Sequence, residues 1–472
     1  MADADGPGDD RSPEDEFRDM LREILSGGAG VDPAQLAGAA GLPNDPASVA
    51  ALFSQLQQAM TSGGDGINRD LALQQGVARA NDGQQDTDAA SRAAWEQAYH
   101  VAALWLDEAV AVSSLTDAPV LLSRRRWVEQ TMPVWTQLAE PVASSIADSL
   151  TKVMSEQAPE ELRGMMAGAS QMMRSIGGTL FAMQLGQVVG QLSAEVVSGG
   201  DVGIPLLEDG TAAVLPQNAA EFGEGLDIPD DQIQLYLAVR ELAHARLFRH
   251  ARWLRLKLIS SITDFARGIR IDTDRIEELA SDFDPSNPEA LRDALVNGSL
   301  IPPKTEEQQV ALARLETMLA LIEGWVDVVT ARATERLPSS GAIAETIRRR
   351  RATGGPAESA FGTLVGLELR PRRLREAAAM WTAVTDAVGV AGRDDLWSHP
   401  DLLPSSADVD DPARIVARLT GERTEEEASE ADAFDQALEA LLRGETPGAS
   451  EDADSPDTGA PDDEGSPDAD RG

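Results

Sequence analysis

The chain has 472 residues, no cysteine, and 40 Lys+Arg against 80 Asp+Glu, a formal net charge of −40. That balance excludes the nucleic-acid backbone as a partner and disfavours an anionic membrane surface, while the missing cysteine removes disulfides, thiolate-held metals and thiol nucleophiles together. Hydrophobic residues make up 42%, enough for a sizeable core, and any histidine-based metal site must draw on His100, His244, His250 and His399.

Residues 1–16 carry a net charge of −6 and read as a solvated tail without the basic start of a signal peptide, so a cytoplasmic location is expected. Phe17, Met20, Leu21 and Ile24 have helical spacing, suiting a short amphipathic helix that packs on its own core or on a partner. Residues 61–90 are rich in Gly, Gln and Asp and read as a loose linker, so 1–88 is taken as an acidic, Gly-rich and partly disordered region. Trp95, Tyr99, Ala103, Leu106 and Val110 predict a helix over 89–114 with a buried stripe. A second helix begins near Ser123, and Pro133 and Pro141 should bend or break it. Helical patterns follow at 160–198, 229–268, 272–282, 288–296, 306–336 and 370–390.

Within 160–198, the stretch Ile176–Leu192 carries Gln184, Gln187 and Gln191, which argues against a membrane span. Its Gly186, Gly190 and Ala194, four apart, predict a close helix–helix contact instead. Residues 204–216 place Asp209-Gly210 between two apolar runs, the signature of a β-hairpin, with Asp227 a plausible cap for the next helix. Residues 421–472 carry a net charge of −15, and from Gly444 onward no large apolar residue offsets the entropy of ordering. The expected architecture is mostly α: a helical core over 89–420 with one small hairpin before its central helix, flanked by acidic disordered tails, the second over 421–472.

Two helices carry chemistry. In Arg240-Glu241-Leu242-Ala243-His244, Arg240 and His244 share one face four residues apart. The arrangement matches the HExxH metal helix except that arginine replaces the first ligand. By itself the pattern fits a solvated helix face better than a metal site. Seventy-nine residues after His244, Glu323 and Asp327 lie four apart beside an apolar face. They form an ExxxD pattern of the kind that supplies a third zinc ligand and a carboxylate orienting a ligand histidine. No nucleophile elbow, phosphate-binding loop or dinucleotide fingerprint occurs in a suitable setting. Arg348 to Arg351, with Arg370, Arg372, Arg373 and Arg375, form the most basic zone and read chiefly as exposed faces balancing an acidic protein.

With these stretches, and with SRRRWVEQTMPVW (123–135), GQVVGQLSAEV (186–196), IEGWVDVVT (322–330) and RDDLWSHPDLLP (393–404), the chain resembles a family of bacterial zincin-like metallopeptidases. One branch of that family is associated with deazaflavin coenzyme biosynthesis. The resemblance implies a zinc cofactor and a peptide or protein substrate, with Glu241 as general base, His244 and Glu323 as metal ligands and Asp327 behind them. The sequence departs from the pattern at Arg240 and at Trp325, which follows Glu323-Gly324 where the resembling branch has a histidine. Guanidinium has no lone pair to give a metal, so the ligand set falls to two where a catalytic zinc takes three. His250, ten residues past Arg240, lies roughly 15 Å further along the helix. His100 and His399 read as structural, and either could reach the site only through the tertiary fold.

Two readings stay open: a zinc-dependent peptidase or hydrolase using Glu241, and a catalytically silent zincin-like scaffold that binds a protein partner. With two ligands and an adjacent guanidinium the protein is expected to bind zinc weakly or not at all, and Arg240→His is then expected to raise zinc affinity sharply. The oligomeric state is not legible.

Overall fold

The first helix, Arg69–Ala80 (α1), falls where a linker was expected. The computed structural model describes residues 66–157, 178–179, 181–208, 210–267, 304–352, 356–367 and 373–421. The segments 17–25, 272–282 and 288–296, residues 160–177, both acidic tails and the basic Arg370 and Arg372 therefore lie outside the described residues. The chain divides into two units, residues 1–416 and 417–472, and all the helices and strands that build the candidate site lie in the first.

The reason α1 forms is local and tertiary together. Asn68 caps it, its side chain accepting the Leu71 amide at 3.0 Å. Its buried face is Leu71, Ala72, Gly76 and Ala80, small residues that let it lie almost backbone to backbone on the helix over 181–192. A Cβ on Gly186 would stand 2.5 Å from the Ala72 carbonyl, and one on Gly190 2.8 Å from the Gly76 carbonyl. The four-residue glycine spacing thus has its close partner, and the partner is the segment read as linker. Few large apolar residues are needed for such a contact, which is why composition concealed it.

Ala89–Ala109 (α2) follows, capped by Asp88; of its expected stripe Trp95, Tyr99 and Leu106 are buried, Ala103 is half-buried, and Val110 is buried just past the helix end. Arg124–Gln157 (α3) continues through both prolines. Pro133 and Gln137 are exposed and Pro141 is half-buried, so the carbonyls freed at Glu129 and Gln137 lie towards the wet side of the helix, where solvent replaces the lost bonds. We number the helix over 181–192 α4.

The expected hairpin at 204–216 does not form. Ala213–Val214 (β2) pairs in parallel with Val120–Leu121 (β1), and on its other side Ser198 bridges Val214 antiparallel. Asp209 lies outside the described residues; Gly210 has φ 77, and the Thr211 amide reaches the Glu208 carbonyl at 3.1 Å. The apolar run before it is buried as core, with Ile204, Leu206 and Leu207 all covered, so the distant segments 120–122 and 197–199 flank the strand. Pro216–Gly223 (α5) comes next.

Residues 229–268 form two helices, Asp230–His250 (α6) and Arg252–Arg267 (α7), parted at the buried Ala251. Alanine favours helix, so tertiary packing and not local preference makes that break. Asp227 is no cap: it sits at φ 52, and Pro229 occupies the cap position without a side-chain bond. Glu306–Ala333 (α8) opens with a capping box of Thr305 and Gln308. Then come Ser340–Ala352 (α9), Pro356–Val365 (α10) and Leu374–Asp395 (α11).

Helix α6 is the axis of the fold. Every residue from Tyr236 to Phe248 is buried, as only a helix enclosed on all sides allows. Helices α2 and α8 pack against it and against each other, α8 also meets α11, and β2 touches α6. Gly324 permits the α8–α11 crossing, since a Cβ there would meet Ala377 at 2.8 Å. Among the described residues no helix is long and apolar enough to cross a membrane.

The α1–α4 contact gives the first prediction. Gly186→Ala must displace backbone and should cost about 1–3 kcal/mol in urea denaturation. Gly362→Ala, with nothing within 4 Å of its Cβ inside α10, should instead stabilise by about 0.5–1 kcal/mol. Equal effects at the two sites would remove the close crossing as the reason for glycine.

Candidate functional site

Because Arg240 and His244 are one helical turn apart on α6, they point together at α8, where they meet Glu323. The Arg240 guanidinium donates to Glu323 Oε2 at 2.5 Å, and His244 Nε2 lies 3.1 Å from Glu323 Oε1. A third group arrives from α9: Arg351 Nη1 stands 2.6 Å from the same Oε1. Glu323 is 0% exposed and His244 2%, so this is a dry centre in which one carboxylate is shared by two guanidinium groups and an imidazole.

Burial alone would raise the Glu323 carboxyl; Arg351, His244 and Arg240 outweigh it and hold it well below the usual carboxylate range. Burial, with the Glu323 carboxylate acting in the opposite sense, pushes His244 below its ordinary value. Its Nδ1 faces the Arg240 carbonyl at 3.1 Å, so both ring nitrogens are turned towards protein oxygens.

Glu241, one residue on, is rotated ~100° around the helix and meets different neighbours. Its Oε1 accepts the Ala213 amide of β2 and its Oε2 the Gly200 amide, both at 2.8 Å, and Ser198 adds a side-chain bond. It is 1% exposed. Burial is the largest influence on it and pushes its pKa up to about 7 in spite of those bonds. The carboxylate completes the hydrogen bonding of a short strand edge.

The loop 197–203, Val-Ser-Gly-Gly-Asp-Val-Gly, closes over both carboxylates. A Cβ on Gly199 would stand 2.8 Å from Glu241 Oε1, and one on Gly200 2.6 Å from the His244 ring. Only glycine allows that approach. The Asp201 carbonyl accepts from Arg351 at 3.0 Å, and its carboxylate accepts from the Val197 amide at 3.0 Å and pairs with Arg350 at 3.2 Å.

The sequence expectations thus divide. Arg240, His244 and Glu323 come together, and Glu241 lies beside them with its carboxylate turned into backbone. Asp327 does not stand behind His244; it pairs with Arg348 at 2.7 Å, because α9 crosses that face of α8. Trp325 faces α11 instead, its indole donating to Asp394 at 2.8 Å. His100, His250 and His399 are exposed, and His399 Nδ1 accepts the Asp401 amide at 3.3 Å, the structural use expected of it. Sequence reasoning missed Arg350, Arg351 and the 197–203 loop. Two signals pointed to them: Arg348 and Arg351 are three apart on the helix face that carries the buried Ala344 and Ile347, and a Gly-Gly-Asp-x-Gly run marks close backbone approach.

Over residues 67–416 the sequence matches the zincin-like metallopeptidases. The chain belongs to that family. A search of the curated proteins finds no match. Among solved structures it is similar to one described as "a putative hydrolase with a novel fold" from Chloroflexus aurantiacus, with a TM-score of 0.52 and 20% identity over 75% of this chain and 98% of that one. At that identity the likeness concerns the fold.

Zinc, which the family implies, does not fit these side chains. Both Glu323 oxygens point at guanidinium nitrogens, which have no lone pair to give a metal. Among the described residues no group of three His, Cys, Asp or Glu converges as a metal site.

The Glu241 environment gives the second prediction. With a folded pKa of about 7 against 4.5, the native state holds a proton that the unfolded state releases between those values. Its contribution is full below pH 4.5 and declines as pH rises to about 7, by about 3 kcal/mol in all. Denaturation from pH 5 to pH 8 should show this decline in the wild type relative to Glu241→Gln. Parallel curves for the two proteins would contradict the shift.

Proposed function

We propose that this member of the family is a catalytically silent zincin-like scaffold that binds a peptide or protein partner. In it the buried Arg240–Glu323–Arg351 cluster takes the place of a catalytic zinc. The observation carrying this reading is the Glu323 carboxylate, engaged on both oxygens by guanidinium groups that cannot ligate a metal. Glu241 supports it: a general base must reach a water molecule, and both of its oxygens are tied to backbone amides. Two buried cations also fill the electrostatic role of a dication without offering an open coordination position. The peptide or protein class of the partner rests on the family alone, whose name describes peptidases.

Family membership favours a second reading, a metal-dependent hydrolase in which Glu241 activates water. It requires Arg240 and Arg351 to leave Glu323 and Glu241 to break from Gly200 and Ala213 before chemistry begins.

Metal analysis decides between them. The purified protein should contain zinc far below one equivalent, should gain no thermal stability from added zinc, and should leave unstructured peptides uncut with zinc present. Glu323→Gln should destabilise by about 3–5 kcal/mol, because two buried guanidinium groups lose their counter-ion, whereas Glu345→Gln on the surface should cost under about 1 kcal/mol. Stoichiometric zinc together with peptide cleavage abolished in Glu241→Gln would establish the hydrolase instead.

A further inference from the structure

The zincin-like pattern directs attention to Arg240, the residue standing where a ligand histidine belongs. The geometry shows a second obstacle that the pattern does not contain. Arg351 comes from the last turn of α9, and its Nη1 lies 2.6 Å from Glu323 Oε1, the oxygen that also faces His244. Arg351 would compete for Oε1, the Glu323 oxygen nearest the His244 ring, with an ion held between that oxygen and the ring. Its other terminal nitrogen is anchored on the Asp201 carbonyl at 3.0 Å, which ties the guanidinium to the loop covering the centre.

Three features mark Arg351 as more than a bystander to Arg240. At the ion pairs its side chain is 11% exposed, against 7% for Arg240, 2% for His244 and 1% for Glu323, so it forms the outer wall of the centre. Its Nε is buried with no hydrogen-bond partner, so the group is held by its two ends and not by a full set of bonds. Its neighbours on the same helix end are fastened in the same way, Arg348 to Asp327 and Arg350 to Asp201. The α9 terminus therefore spans α8 and the 197–203 loop.

We propose that Arg351 is an independent barrier to divalent cations, so that the centre is closed twice, by Arg240 from α6 and by Arg351 from α9. This deepens the silent-scaffold reading and rests on it. It also reverses the simple expectation that Arg240→His alone restores a zinc site. Replacing Arg240 supplies an imidazole but leaves a buried guanidinium against the same carboxylate, and a positive charge a few ångström from a dication is strongly repulsive where water is excluded.

Zinc content by mass spectrometry and zinc-dependent melting would be measured for the wild type, Arg240→His, Arg351→Gln and the double variant. Expected are no stoichiometric zinc in the first three, and one equivalent in the double variant with an affinity at least about tenfold above Arg240→His, the least that removing one buried like charge should give. Arg351→Lys in the Arg240→His background keeps the charge and should remain without zinc. Should the glutamine double variant fail to fold, Arg351→Met, which keeps the alkyl stem, replaces it. Stoichiometric zinc in Arg240→His alone, or no gain in the double variant, overturns the role of Arg351 while leaving the silent-scaffold reading intact. Stoichiometric zinc in the wild type overturns the scaffold reading itself.

Discussion

A carboxylate with no exposed surface, at the meeting point of three helices, is the constraint around which this fold is arranged. Taking Glu323 out of water costs several kcal/mol unless compensating donors surround it. The donors come from parts of the chain far apart in sequence: Arg240 and His244 on α6, Arg351 on α9. Each must be delivered with hydrogen-bond accuracy, so the crossing of α6 on α8 and the approach of α9 are fixed together. The glycines follow from the same requirement. Gly200 admits the His244 ring, and Gly203 brings the loop to within 3.3 Å of Glu323 Oε1, measured from where its Cβ would be.

Guanidinium and zinc solve the electrostatic problem in comparable ways and the chemical problem in opposite ways. Arg240 and Arg351 together bring the charge of one divalent ion to Glu323. Their donors are planar and directional, matching carboxylate lone pairs. A metal would accept those lone pairs and keep a position free to polarise water, whereas a guanidinium presents hydrogens and leaves no such position. In the silent-scaffold reading proposed above, the fold is kept while the Lewis acid is not replaced. The flanking charges are arranged likewise: Asp327 is held by Arg348 and Asp201 by Arg350, so the four-arginine run serves the interior more than the surface.

Most of the helices were legible because a single face of large apolar residues marks each, as Trp95, Tyr99 and Leu106 mark α2. The partnership of Arg240, His244 and Glu323 was legible because helical spacing and the family resemblance both pointed to it. Helices α5, α9 and α10 fall outside the helical patterns read from the sequence, while α1 and β2 escaped because they depend on small residues or on long-range pairing. Helix α1 packs through Ala72, Gly76 and Ala80, which carry no hydropathy signal. Strand β2 takes its partner from β1, some ninety residues earlier, and a hairpin motif speaks only for its immediate neighbours. Arg351 looked like surface charge because α9 buries only one of its faces, and no local pattern says which arginine of four lies on it.

Glu241 has a structural use that does not depend on catalysis. Arg240 and His244, four apart, must share a partner, while Glu241, one residue on, cannot join them. The turn of the helix sends it towards β2 and the 197–203 loop. Two buried amides there, Ala213 and Gly200, have no other strand to pair with, and an unsatisfied buried amide costs about 1–3 kcal/mol. A carboxylate offers two acceptor oxygens at the needed spacing, and alanine would offer none. Retaining glutamate at this position thus has a structural cause independent of catalysis. The half-motif Glu-x-x-His is therefore consistent with a site in which glutamate organises backbone and histidine donates to a carboxylate. In that arrangement the motif position Arg240 is joined by a second guanidinium from outside the motif, Arg351 at the end of α9.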